Sequence, residues 1–397
     1  MLVSVKLQRS PLYRALKVSQ LRGISPLMVA LACLLVPARL LATELLVPET
    51  YATIQAALDV AVAGDVVSVA PGLYPENVQF ASNDVTLRSR VRHGATIQGS
   101  GHVVDFDSYG GTVEGFVITG AVNPKAGVFT SDAAQVIRDN LITGNGDDGI
   151  HISNGSVATI ERNIIIDNAA TGYHSGIRIN SGASATIVNN YIAGSGVGIW
   201  DFTFTGGADI FNNTLVDNSN FGVLITAGAL RRVRNNIITG SEFGIYATGS
   251  YDPDLTAYVG QFLEMDYNLL WSNSVSDYYA DIDTCTDKNC DVNEGPFDPL
   301  PGTSEVHADP LLDPVMGYEL SAGSPAIDAG DDAVCPASDL DGRSRPHDGN
   351  DPPDGSAVCD IGAVEYLPEP HQATTLIAGL ALLALLYPRR IRVLRLR

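Results

Sequence analysis

Between positions 147 and 246 the chain gathers residue types that together suit a sugar chain: Asp147 and Asp148 side by side, His151, Tyr173 next to His174, then Arg178, Trp200 and Tyr246. A guanidinium pairs with a carboxylate through parallel hydrogen bonds. Tyr and Trp rings offer flat faces to apolar C–H surfaces. Adjacent aspartates can divide acid and base roles when burial separates their pKa values. Singly, each residue has a plainer explanation. Asp-Asp-Gly is ordinary turn chemistry, and an outward histidine on a strand is commonly just solvated. The case rests on whether one element brings them together.

That element is a repeat. Six segments carry one phrase: IRDNLITGN (137–145), IERNIIIDN (160–168), IVNNYIAGS (187–195), IFNNTLVDN (210–218), VRNNIITGS (233–241) and MDYNLLWSN (265–273). Their shared asparagines, Asn140, Asn163, Asn190, Asn213, Asn236 and Asn268, are separated by 23, 27, 23, 23 and 32 positions. A second phrase interleaves: GVFT at 127, GIHI at 149, GIRI at 176, GIWD at 198, GVLI at 222 and GIYA at 244. A period in this range marks a repeat architecture. Alternating apolar residues and β-branched side chains make the units strands. Stacked in register, they form an all-β parallel solenoid rising about 4.8 Å per coil. The recurring Asn is expected to be an internal ladder that satisfies bent backbone.

Alternation places Ile150 and Ile152 inside and His151 outside. The outward row is then Phe129, His151, Arg178, Trp200, Leu224 and Tyr246, one per coil. Just before each Gly stand Lys125, Asp147, His174, Gly196, Asn220 and Glu242. Asp147, His151, His174 and Arg178 therefore fall on two adjacent coils, with Trp200 on the next. The longer turn Ala169–Ser175 should overhang this row, and loops of that kind commonly carry sites. Elsewhere, Arg138 with Glu161 and Asp209 with Arg232 read as cross-strand pairs that hold register.

The repeats over roughly 50–275 resemble the right-handed parallel β-helix of the pectate-lyase-like families. GDDGIHI (146–152) is similar to the paired-aspartate strand of polygalacturonases, and His174 and Arg178 resemble residues of their His- and Arg-containing motifs. That resemblance implies catalytic roles for Asp147, Asp148, His174 and Arg178, with His151, Tyr173, Trp200 and Tyr246 binding substrate. It departs from the pattern at residue 180, which is Asn where a Lys would stand, and Asp201 falls at an inward register. A lyase alternative uses Arg178 as the base with Ca²⁺ on Asp147 or Asp148. No cofactor is certain. Ca²⁺ is also the ion that the Asp-rich loop Asp339–Asp354 would take.

Flanking segments complete the organisation. Residues 1–42 hold no acid, six basic residues and the run PLMVALACLLV, which reads as a secretory signal. The end, LPEPHQATTLIAGLALLALLYPRRIRVLRLR, resembles the PEP-CTERM sorting tails processed by exosortase-type enzymes of Gram-negative bacteria. Pro368, Glu369 and Pro370 would be the recognition triplet, in a tail (368–397) that meets the membrane only until it is processed. The blander reading of that tail is a transmembrane helix. Residues 43–275 are the expected β-helix, with a helix at Thr53–Ala63 capping it ahead of a first strand at Val66–Val69. Residues 276–303 read as a linker. Residues 304–367 resemble a choice-of-anchor domain.

Of 24 basic residues, eleven lie in 1–42 and 371–397 together with none of the 45 acids. That leaves 13 against 45, a net of −32, which excludes a duplex-binding role. Outside the signal, Cys285, Cys290, Cys335 and Cys359 suggest two disulfides. Three pairings are open, and proximity joins Cys285 to Cys290 and Cys335 to Cys359. The expectation is a secreted, cell-surface protein that binds an acidic extracellular polysaccharide and acts on it as a lyase or hydrolase, or else a non-catalytic structural protein of the exopolysaccharide matrix.

Overall fold

The computed structural model describes residues 42–169, 172–203, 206–226, 231–249, 263–285, 290–296, 304–315, 317–349 and 355–368. Three sheets of ten, nine and ten strands run the length of the repeat region. Each coil contributes one strand to each, as in Ala134–Arg138 (sheet I), Leu141–Thr143 (sheet II) and Ile150–Ser153 (sheet III). Successive coils pair in parallel, and the whole is a right-handed parallel β-helix. The core is a stack of like residues: Ile137, Ile160, Ile187 and Ile210 from sheet I, Ile142, Ile165 and Ile192 from sheet II, Ile150, Ile177 and Ile199 from sheet III, all fully buried.

Two corners make the coil. Each ladder Asn is preceded by a residue with a left-handed backbone: Asp139, Arg162, Asn189, Asn212, Asn235 and Tyr267, with φ between 51° and 59°. The short turn swings the chain from sheet I to sheet II and leaves backbone groups unpaired at the bend. The asparagines repair this. Asn163 Nδ2 donates to Asn190 Oδ1 (3.0 Å) and to the Ile137 carbonyl of the coil before (2.8 Å), while Asn190 Oδ1 also accepts from the Asn163 N–H (2.9 Å). The pattern repeats from Asn140 to Asn268, every member fully buried, and ends on Glu305, whose carboxylate accepts from Asn268 Nδ2. The expected ladder is therefore present. A second one, not anticipated, runs at the far end of the sheet II strands. Asn145 Nδ2 donates to Asn168 Oδ1 (2.9 Å), and Asn218 and Asn273 take equivalent places on later coils, accepting from the N–H of Ser195 and Ser241.

Three sequence expectations need amending. The first strand is Glu44–Val47, which pairs with Val66–Val69; its short apolar run follows directly on an apolar segment and carries no turn signal of its own. The capping helix α1 is shorter, Ile54–Leu58. Thr53 caps it, Glu76 accepts its first N–H groups, and Ile54, Ala57 and Leu58 are buried over the first coils. Finally, sheet III does not stop at Asn273. Ser276–Cys285 adds a parallel strand and Cys290–Pro296 returns antiparallel, so part of the segment read as a linker is sheet. Its polar, Tyr/Asp-rich composition conceals the alternation.

The described residues between 304 and 368 hold few regular elements, and several of them lie against the outer side of sheet II. Tyr318, Leu320, Leu340, Ile361, Ala363 and Val364 pack on Ile237 and Leu269. The corner asparagines are their sockets. Asn189 donates to the Ser338 carbonyl and accepts from Arg345, Asn212 donates to the Asp360 carbonyl, and Asn235 exchanges bonds with Asp331. Arg345 and Glu365 form a fully buried pair at 2.7 Å. Cys335 and Cys359 are joined as expected. Cys285 and Cys290 face each other in backbone register, but their side chains lie outside the described residues. Among the described residues no helix is long and apolar enough to cross a membrane. The leader call falls outside the described residues except Ala42, and the tail call outside them except Pro368.

Candidate functional site

Sheet III sets the register of the outward row. Phe129, His151, Arg178, Trp200, Leu224 and Tyr246 are successive partners, and Tyr279 extends the row. Leu224 departs from the expectation, because it is 5% exposed and breaks the row as a surface.

The charged group is built at the turn into sheet III. His174 Nδ1 lies 2.5 Å from Asp147 Oδ1. The carboxylate fixes the proton on Nδ1 and leaves Nε2 as the basic nitrogen, which faces the Asn123 amide at 3.2 Å. The His174 side chain is 33% exposed and that of Asp147 10%. Asp148, beside it, is fully buried. Its Oδ1 accepts the Ser175 N–H at 2.7 Å, and its Oδ2 lies 3.4 Å from both Arg178 and His151 Nδ1.

Burial pushes the Asp148 carboxyl up to about 6, with Asp147 adding to the rise against the pull of Arg178. Burial, with the Arg178 charge beside it, pushes His151 down to about 4. At neutral pH His151 is therefore an uncharged ring, bonded through Nε2 to Asn180 at 3.3 Å. Asn180 is the position where the resemblance calls for Lys, and here it orients a histidine.

Arg178 is clamped from three sides: by Asp148, by the Tyr173 carbonyl at 3.2 Å, and by the Trp200 ring 4.2 Å below its guanidinium carbon. Tyr173, 60% exposed, stands over Trp200 (5.9 Å) and Phe221 (6.2 Å), as an overhanging turn should. From there aromatic rings continue. Phe221 and Phe243 stack at 5.5 Å, and Tyr246 and Tyr279 at 5.1 Å. Phe221, Phe243 and Tyr279 were not singled out from sequence. The first two occupy the place just before the repeat Gly, where Asp148 stands three and four coils earlier, and that position was the available signal.

Asp201 is excluded from the group. It points into the solenoid and is bound by the buried Arg231 at 2.6 and 3.0 Å. The cross-strand pairs sit on sheet I as expected: Arg138 with Glu114 (2.7 Å) and Glu161 (3.7 Å), and Arg232 with Asp209.

Among the described residues Asp147, Asp148 and His174 are the one set whose donor atoms converge, within 4.8 Å of one another. The set does not suit Ca²⁺, which takes six to eight oxygens. One donor is an imidazole, one carboxylate is already spent on Ser175 and Arg178, and the arginine repels a cation. In the Asp-rich loop, of which residues 350–354 lie outside the described residues, Asp339 does not suit it either. Asp339 is fully buried, and its two oxygens accept the N–H groups of Asp341, Arg343 and Glu365.

The sequence family described as a right-handed beta helix region matches residues 103–262. Among solved structures, an alginate lyase from Paenibacillus sp. is similar at 17% identity, covering 58% of this chain and 87% of its own, with a TM-score of 0.43. A pectate lyase is similar at 14% identity, covering 79% and 90%, with a TM-score of 0.42. A pectin methylesterase from Erwinia chrysanthemi is similar at 12% identity, covering 71% and 91%, with a TM-score of 0.34. These likenesses concern the fold. No curated protein sequence matches the chain.

Proposed function

We propose that this is a secreted, surface-sorted protein that binds an acidic polysaccharide along sheet III and cleaves it by β-elimination at His174. One observation carries the reading. A histidine oriented by a carboxylate stands beside a clamped arginine on an aromatic ring, at the exposed mouth of a rigid sheet. The Arg178 guanidinium pairs with a uronate carboxylate and, by drawing off its charge, acidifies the proton on the adjacent ring carbon. His174 Nε2 takes that proton once the exposed Asn123 amide is displaced. The C–H electron pair becomes the new ring double bond, and the bond to the neighbouring glycosidic oxygen breaks. That oxygen leaves with a proton from solvent or the Tyr173 hydroxyl. Asp147 holds the imidazole and steadies its positive charge. Asp148, out of reach of any substrate, positions Arg178 and His151. A hydrolytic split of roles between the two aspartates fits less well, because the raised carboxyl is the buried one.

A second reading has an observation of its own. Both nitrogens of His174 are engaged, by Asp147 and by Asn123, as they would be in a purely structural pair. The protein would then bind the glycan without cutting it, as part of the exopolysaccharide matrix. A panel of polyuronates, with and without chelator, separates the two. Unsaturated, ultraviolet-absorbing products support elimination, binding without product supports the matrix role, and new reducing ends without unsaturation would point back to hydrolysis. The leader and tail readings are tested by the mass of the exported protein. It should lack the first 42 residues and everything beyond about Pro370.

A further inference from the structure

Two coils toward the N-terminus, sheet III carries a second cluster that the reading above does not use. His102 Nδ1 accepts the N–H of Ala126 at 3.2 Å. A backbone N–H can only donate, so Nδ1 carries no proton and the neutral ring holds its hydrogen on Nε2. That Nε2 lies 3.3 Å from the Lys125 ammonium. An ammonium has donors and no acceptor. Two donors thus face the same space with nothing between them to accept. Neighbouring carboxylates do not resolve the mismatch. Asp105 accepts the N–H of Asp107, Asp147 is bonded to His174, and among the described residues no acid pairs with Lys125. The other described arginines of this acidic chain mostly spend their charge on carboxylates, from Arg88 on Glu44 to Arg345 on Glu365. Lys125 is exposed and His102 half-buried, its ring packed on Phe129 at 4.4 Å.

We infer that Lys125 Nζ and His102 Nε2 form an oxyanion subsite that takes a carboxylate of the same glycan bound at Arg178. This rests on the reading above as to the ligand, though not as to the anion. The spacing supports a single chain spanning both. The Lys125 coil and the Arg178 coil are two steps apart in sheet III, about 10 Å at the usual strand separation. The two sites also share a loop. Asn123, which faces His174, and Lys125, which faces His102, are two residues apart. A glycan filling the second subsite would lie across the loop whose Asn123 must move for His174 to act.

The test uses the full chain with its imidazole nitrogens labelled with ¹⁵N. Sodium acetate and sodium sulfate are titrated at constant ionic strength while the His102 Nε2–H signal is followed. A saturable shift in the wild type that is lost in Lys125→Ala and kept in Arg88→Ala is the expected result. No shift, or an equal shift in Lys125→Ala, overturns the subsite. Oligouronates of two and six sugars form the second arm. Lys125→Ala should weaken the hexamer about tenfold and leave the dimer unchanged, in line with loss of one charged contact worth about 1.4 kcal/mol. If the anion titration holds but neither oligomer binds the wild type, the glycan reading fails and the anion pair stands. If both bind and the variant alters neither, the subsite falls and the glycan reading stands.

Discussion

Sheets II and III are made by the same repeat, yet their outer faces differ completely. On sheet II the outward positions Ile164, Tyr191, Thr214, Ile237 and Leu269 are increasingly covered, and from Thr214 onward fully buried, under residues 304–368. On sheet III the outward positions carry His151, Arg178, Trp200 and Tyr246. The strands themselves already differ. Sheet II strands read as unbroken apolar runs, III at 164–166 and LL at 269–270, as strands buried on both faces do. Sheet III strands alternate, IHI and IRI. One face of the coil binds the chain's own C-terminal residues, and the other carries the polar and aromatic row.

Substitutions on the two faces should therefore fail in different assays. The largest expected effect is on sheet III. His174→Ala should lower turnover of a polyuronate about 10²–10⁴-fold while leaving the unfolding midpoint in place; a normal rate would end the elimination reading. Next, on the sheet II side, Arg345→Met leaves Glu365 buried without its partner and should cost about 3–5 kcal/mol of stability by denaturant titration, with polysaccharide binding unchanged below the transition. Asn190→Leu, at the corner the two sheets share, should cost about 1–3 kcal/mol; an unchanged midpoint would put that side chain in water.

Trp200→Ala should weaken glycan binding by about 1–3 kcal/mol without unfolding the protein, whereas Arg138→Ala on sheet I should do nothing to binding. The reverse outcome would move the groove to another face. The remaining expectation is a slope. Burial and the neighbouring Glu365 push the Asp360 carboxyl up to about 8, so the folded chain holds that proton where the unfolded chain, at about 4, has lost it. Stability should fall as pH rises from about 4 to about 8, and Asp360→Asn should flatten that part of the profile.

Sheet III was legible because its information is local. A Gly, an alternating triplet and a fixed period give the register, and the register alone brings Asp147, His151, His174 and Arg178 together. The asparagine ladder was legible for the same reason. Its second copy at Asn145 and Asn168 stands in the same phrases, but its later members alternate with Ser195 and Ser241, so no single residue type marks it. The covering of sheet II was not legible. Its decisive partners, such as Asn189 with Arg345, are 156 positions apart and follow no period. The division of labour between Asp147 and Asp148 was also out of reach. Both stand in the turn ahead of the strand that begins at Ile150, where no alternation rule says which of two neighbours is buried.

The column of asparagines has a direction. Every Nδ2 donates toward the next coil and every Oδ1 accepts from the one before, from the Phe116 N–H that opens the series to the Glu305 carboxylate that closes it. Such a column has no natural length. Removing a whole repeat, or duplicating one, leaves each remaining amide with the same donor behind it and the same acceptor ahead. What the column does require is a stopper, because the last amide presents two donors to the open end. Glu305 supplies both acceptors, one oxygen to the Asn268 side chain and one to its backbone N–H. The column itself sets no number of coils so long as a carboxylate follows the last one, and the exposed end of an unstoppered column would be a ready seat for the first coil of another molecule.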